Sequence, residues 1–119
     1  MSILVAVTDS KEGQAALSAA LDEAQTLGTD LLVLNLTVSA LALPDRPGGP
    51  TVRVVDRTGP GDRDPVDAVL DEIRSDPAIS RLVIGVRRRT PVGKALLGSV
   101  SQRLLLEADL PVLAVKANA

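Results

Sequence analysis

The chain of 119 residues contains no cysteine, no histidine and no phenylalanine, tyrosine or tryptophan. Each absence removes a class of chemistry. Without thiol or imidazole there is no disulfide framework, no Cys/His zinc site, and no Cys-His or Ser-His-Asp constellation within one chain. Without rings there is no stacking platform for nucleic-acid bases, which the common RNA modules and single-strand binders use. Long apolar runs are missing too. No stretch approaches the roughly 18 uninterrupted apolar residues of a membrane span, and no basic-then-apolar start resembles a signal peptide, so a cytoplasmic protein without a membrane partner is expected.

The 45% hydrophobic share is ordinary for a globular domain, and the length suits a single domain over 1–119. Its core must be Leu, Val, Ile and Ala. Aromatic side chains usually bury about 150–250 Å² each, so a small domain without them has a thinner apolar reserve and gains from self-association. The net charge of −2 argues against a nucleic-acid partner. It also hides an asymmetry. From Pro77 to Leu106 stand Arg81, Arg87, Arg88, Arg89, Lys94 and Arg103 with no acid, a segment of +6 that leaves −8 on the remainder. A basic segment in an acidic chain suits a small anionic ligand, or ion pairs with acids elsewhere in the fold.

Residues 3–7 form an apolar run of the kind a doubly buried strand shows. Ser10 then caps a helix in which Leu17, Ala20, Leu21, Ala24 and Leu27 recur at helical spacing before Gly28 stops it. A second strand is expected over 31–36. Pro44, Pro47, Gly48, Gly49 and Pro50 predict a loop where a crossover helix would otherwise lie. A strand over 51–55 and a Gly/Pro turn over 58–63 follow. Asp64 and Pro65 open a helix with Val66, Val69, Leu70 and Ile73 on one face, which Pro77 ends. A strand over 82–86, a helix from Gly98 and Ser99 to about Ala108 with Val100, Leu104, Leu105 and Ala108 inward, and a strand after Pro111 complete the chain. Buried strands alternating with amphipathic helices predict an α/β fold: a Rossmann-like parallel sheet of five strands covered on both faces, ligands at the carboxyl ends of its strands, and the helix between strands 2 and 3 reduced or absent.

At the end of the fourth strand the residues run from Gly85 through Arg87, Arg88 and Arg89 to Gly98 and Ser99. Gly85 allows close approach of a ligand, the first N–H groups of the next helix face a positive terminus, and the guanidinium groups add charge-assisted donors. The result is a phosphate cradle or, with no ligand, a structural loop and helix cap. It is not a Walker A loop, because Ala95 stands where Ser or Thr would meet magnesium, and no G-x-G-x-x-G follows the first strand. Asn35 in the second strand reads as a hydrogen-bonded core polar group. Asp67, Asp71 and Glu72 read as a solvated helix face, and Asp62 and Asp64 as turn and cap. No paired carboxylates stand ready for acid/base work.

Residues 85–116, ending GSVSQRLLLEADLPVLAVK, resemble the carboxyl-terminal signature of the universal stress proteins, whose nucleotide-binding members carry G-x2-G-x9-G-[S/T]. Gly85 matches the first Gly and Gly98-Ser99 the terminal pair, while Arg88 takes the middle Gly position. The amino end, ILVAVTDSKEGQAAL, is similar to the family's first strand, Asp-x-Ser turn and first helix. Ser10 then aligns with the Ser and Thr8 with the Asp, leaving Asp9 one place late. The resemblance implies strand order 3-2-1-4-5, a homodimer through strand 112–116 and a role as a stress-response sensor or switch. It further implies ATP or another adenine nucleotide as ligand, with magnesium as its possible companion. Thr8, Asp9 and Leu36 would face adenosine; Gly85, Gly98, Ser99 and Val100 would hold phosphate. Arg87, Arg88 and Arg89 either bind that phosphate or, at Arg88, obstruct it. No residue suits activation of water, so at most slow hydrolysis is expected. The alternative is a dimeric interaction module that has lost the nucleotide.

Overall fold

The computed structural model describes residues 1–37, 41–43, 47–56, 64–87 and 99–117, and of Arg87 its backbone. The elements in chain order are β1 (Ser2–Val7), α1 (Lys11–Leu27), β2 (Asp30–Asn35), β3 (Val52–Asp56), α2 (Pro65–Ser75), β4 (Ile79–Arg87), α3 (Ser99–Glu107) and β5 (Val112–Ala117). The strands form one sheet of order β3-β2-β1-β4-β5 in which every neighbouring pair is parallel. Both the order and the parallel arrangement agree with expectation. Among the described residues between Asn35 and Val52 none is helical.

Alternation of side chains divides the core into two layers. On one face Ile3, Val5, Val7, Leu31, Val33 and Val83 pack against Ala16, Leu17, Ala20, Leu21 and Ala24 of α1. On the other Leu4, Ala6, Leu32, Leu34, Leu82, Ile84 and Val86 pack against Val66, Val69 and Leu70 of α2 and Leu104 of α3. All of it is aliphatic. Helix α1 lies over β1, β4 and β5, so on its face the outer part of β2 and β3 has no helix above it; Leu41 packs there with the half-buried Val52 and Val54.

Local chemistry accounts for the helix ends. Ser10 has an extended backbone and its hydroxyl accepts from the Gly13 N–H at 3.2 Å, while Gly28 adopts the left-handed conformation at φ +66° that closes α1. Asp64 caps α2 by accepting from the Val66 N–H at 2.8 Å, with Pro65 in the first turn. Beyond α2, Asp76 accepts from the Ala78 N–H at 3.0 Å and its carbonyl from the Ile79 N–H at 3.1 Å, a turn that starts β4 three residues earlier than residues 82–86 suggested. The polar Ser80 and Arg81 belong to that strand because each has a partner: the Ser80 hydroxyl donates to the Ser2 carbonyl at 3.2 Å, and Arg81 pairs with Glu23 of α1. Two apolar assignments need correction. Leu105 and Leu27 are 37% and 44% exposed, because Leu105 follows the inward Leu104 by one residue and Leu27 ends its helix, beyond the sheet.

Candidate functional site

Parallel register aligns one row of residues along the carboxyl edge of the sheet. Val7 pairs with Asn35 and Asn35 with Asp56; continuing the Val5 to Val83 pairing by two residues brings Val7 level with Gly85, itself paired with Val115. All five positions point to the α1 side. Helices leave this edge on opposite faces, α1 after β1 and α3 after β4, so the sheet's topological switch point lies between β1 and β4.

The first turn of α1 crosses this row at very short range. A Cβ on Gly85 would overlap the carbonyl of Glu12, with the Glu12 Cβ only 2.9 Å away, and a Cβ on Gly13 would overlap the carbonyl of Thr8 and approach its nitrogen at 2.8 Å. The close approach that Gly85 allows is therefore made by the protein's own helix. The sequence offered GxG-type arguments only toward a ligand; the helix was the missing partner, and Gly13 was not singled out at all.

The β1–α1 turn is held by its own hydroxyls. Thr8 Oγ1 and Ser10 Oγ lie 2.9 Å apart in a hydrogen bond, and the Ser10 N–H donates to the Thr8 carbonyl at 2.9 Å. Thr8 is half-buried and Asp9 is exposed beside it. Leu36 is tied to β1 through its N–H, which donates to the Val7 carbonyl at 2.9 Å, so Thr8, Asp9 and Leu36 share one corner of the edge. Next to them Asn35, 3% exposed, confirms its reading as a satisfied core polar group. Its Nδ2 donates to Asp56 Oδ1 at 2.8 Å, and its Oδ1 accepts from the N–H and hydroxyl of Thr37 at 2.9 and 2.6 Å. Asp56 and Thr37 carried no sequence signal, since the pairing joins residues 21 apart.

At the other side of the switch point α3 starts at the exposed Ser99, followed by half-buried Val100. Ser101 fixes the helix to the sheet by donating its hydroxyl hydrogen to the Gly85 carbonyl at 3.1 Å. Gly85, Ser99 and Val100 thus belong to one neighbourhood. Arg88, Arg89, Gly98 and the side chain of Arg87 lie outside the described residues. Two cations of the basic segment have internal partners: Arg81 Nη1 contacts Glu23 Oε1 at 2.6 Å, and Arg103 joins Asp64 at 2.9 Å and Glu107 at 3.2 Å. The segment's charge is thereby reduced to the arginine run and Lys94.

Asp64 has its carboxyl pKa held below the usual value by the Val66 N–H and then by Arg103. A depressed folded-state pKa stabilises above the unfolded value, near 3.8, and that contribution vanishes as pH falls through the folded value. Asp64→Asn keeps a capping side chain and removes the charge. Its deficit in melting temperature relative to wild type is expected at pH 7 and should disappear below about pH 3; an equal deficit at both would contradict this assignment.

A cavity of about 270 Å³ opens at the opposite end of the molecule, between the end of α1 and the Gly48–Thr51 stretch. Its ionisable lining residue among those described is acidic, Asp30, so it does not suit an anion. Among the described residues no group of three or more acidic side chains could hold a metal ion, and no helix is long and apolar enough to cross a membrane.

Residues 37–116 match the model of the Usp, universal stress protein, family. A universal stress protein of Mycolicibacterium smegmatis is 39% identical over 127 aligned residues, covering 98% of both chains. The chain belongs to the universal stress protein family. The fold agrees. A universal stress protein from Archaeoglobus fulgidus superposes with a TM-score of 0.74 at 24% identity over 98% of each chain. The structure of the A. fulgidus universal stress protein in complex with dAMP superposes at 0.68 with 21% identity, again over 98% of each chain. This member departs from the family's nucleotide motif at Thr8 and Arg88, and replaces a crossover helix by the segment between Asn35 and Val52.

Proposed function

We propose that this member binds an adenine nucleotide, ATP among them, across the carboxyl ends of β1 and β4 and acts as a cytoplasmic stress-response sensor or switch. The observation that carries the reading is the switch point itself: the Thr8–Asp9–Leu36 corner stands on one side, and Gly85 with the start of α3 at Ser99 and Val100 on the other. Unpaired N–H groups at a helix start favour phosphate. Gly98, Arg87, Arg88 and Arg89 complete the phosphate side, and adenosine rests on aliphatic side chains and backbone, with magnesium entering only alongside a triphosphate. The dAMP complex of the A. fulgidus relative supports this choice of ligand. Turnover is incidental, as no side chain at the corner is an evident base.

The missing aromatic residues simplify the test. A chain without Phe, Tyr or Trp has almost no near-ultraviolet absorbance, so a nucleotide carried through purification is seen directly in the protein spectrum. Calorimetric titration with ATP should give saturable binding, and replacing Arg87, Arg88 and Arg89 together by alanine should weaken it at least tenfold, the scale of one lost charged hydrogen bond. No heat at millimolar ATP would overturn the reading and leave the interaction module.

We further propose that β5 joins two copies in a homodimer. It is an edge strand whose Leu113 is 39% exposed, and an unpaired edge is a template for a second chain. Sedimentation should give twice the chain mass for wild type and the monomer mass for Leu113→Glu; a monomeric wild type refutes it.

A further inference from the structure

We infer that Asp56 is the residue that selects the base, accepting a hydrogen bond from an exocyclic amino group of the bound nucleotide. The inference rests on the nucleotide reading above and concerns a residue outside the family motif. Where that motif has a carboxylate at the end of β1, this chain has Thr8, whose hydroxyl is engaged with Ser10. A carboxylate nevertheless stands on the same edge, two strands away. Asp56 is the last residue of β3 and is exposed. One of its oxygens is fixed by the amide of the buried Asn35 at 2.8 Å, and Asn35 is itself held by Thr37. A buried amide spent on positioning an exposed acid leaves that acid oriented, with its remaining acceptor capacity turned to solvent.

The span decides which part of a nucleotide would reach it. Gly85 and Asp56 sit in one row three strand spacings apart across β4, β1, β2 and β3, roughly 14 Å at about 4.8 Å per strand. With phosphate at the Gly85 end, the ribose falls over β1 and β2, and the far edge of an extended nucleotide's base arrives at β3. A carboxylate there accepts from the amino group of adenine and repels the carbonyl oxygen that hypoxanthine presents at the same position. The absent helix after β2 is what leaves this approach open on the α1 face.

The test compares AMP, IMP and 2′-deoxy-AMP on wild type and on Asp56→Asn, a change that keeps the acceptor for Asn35, with thermal melting as the check that the fold is kept. Wild type should prefer AMP over IMP by about tenfold or more, and Asp56→Asn should bring that ratio close to one. An unchanged ratio in the variant overturns the inference while sparing the nucleotide reading. Loss of discrimination between AMP and 2′-deoxy-AMP instead would place the carboxylate on the ribose and overturn it as well. If wild type binds none of the three, both readings fall.

Discussion

Gly85→Val is expected to destabilise the domain by about 3 kcal/mol or more, a large part of the roughly 5–15 kcal/mol available to a domain of this kind. The reason is backbone against backbone. The new Cβ occupies the space of the Glu12 carbonyl and lies 2.9 Å from the Glu12 Cβ, so no side-chain rotation relieves it; either α1 lifts from the sheet or β4 bends. Gly13→Ala meets the Thr8 backbone in the same way and should be comparably severe. Gly28 supplies the control. It has open space around its Cα but a positive φ, so Gly28→Ala loses only the left-handed preference, about 1 kcal/mol. Urea unfolding at constant m-value measures all three. A Gly85→Val variant within 1 kcal/mol of wild type would mean that the helix does not cross the strand where the structure puts it.

Leu82→Ala should cost about 2–5 kcal/mol, and Leu4→Ala the same. The two residues are fully buried partners across the central pair of strands and both face α2 and α3. With no aromatic ring in the molecule, the surrounding Leu, Ile and Val have no large side chain to swing into the cavity. The double variant should depart from additivity by 0.5 kcal/mol or more, because the second truncation enlarges a cavity already made. Leu106→Ala, at a site 78% exposed, should stay within about 0.5 kcal/mol. Equal losses at Leu82 and Leu106 would show that the buried layer is not the source of stability.

Much of this molecule could be read from residues whose effect is local. Ser10 and Gly28 bracket α1, Asp64 and Pro65 open α2, and the aliphatic runs mark strands, because caps, proline geometry and periodicity act over a few positions. Strand limits shifted by one to three residues where a polar side chain had a distant partner, as Arg81 has in Glu23. Leu105 was misread because in a short helix two adjacent leucines compete for one inward position. The site was legible in outline: Thr8, Asp9, Leu36, Gly85, Ser99 and Val100 all fall on the carboxyl edge around the switch point. What could not be read were relations across the fold, such as Gly85 with Glu12, Ser101 with the Gly85 carbonyl, and Asn35 with Asp56. Nothing in the spacing of such pairs announces them.

The crossing of α1 over Gly13 and Gly85 also fixes how this edge moves. Helix and strands touch there without intervening side chains, so the β1–α1 corner cannot open alone; it comes apart only when the central sheet does. Amide hydrogens of Val5, Val7 and Val83 should therefore exchange with deuterium only through global unfolding, at the slow end of the molecule's range, while those of the edge strand β3 exchange through smaller openings. A ligand received at such a corner meets a surface already set in its bound shape, and little of its binding free energy is lost in ordering the floor beneath it.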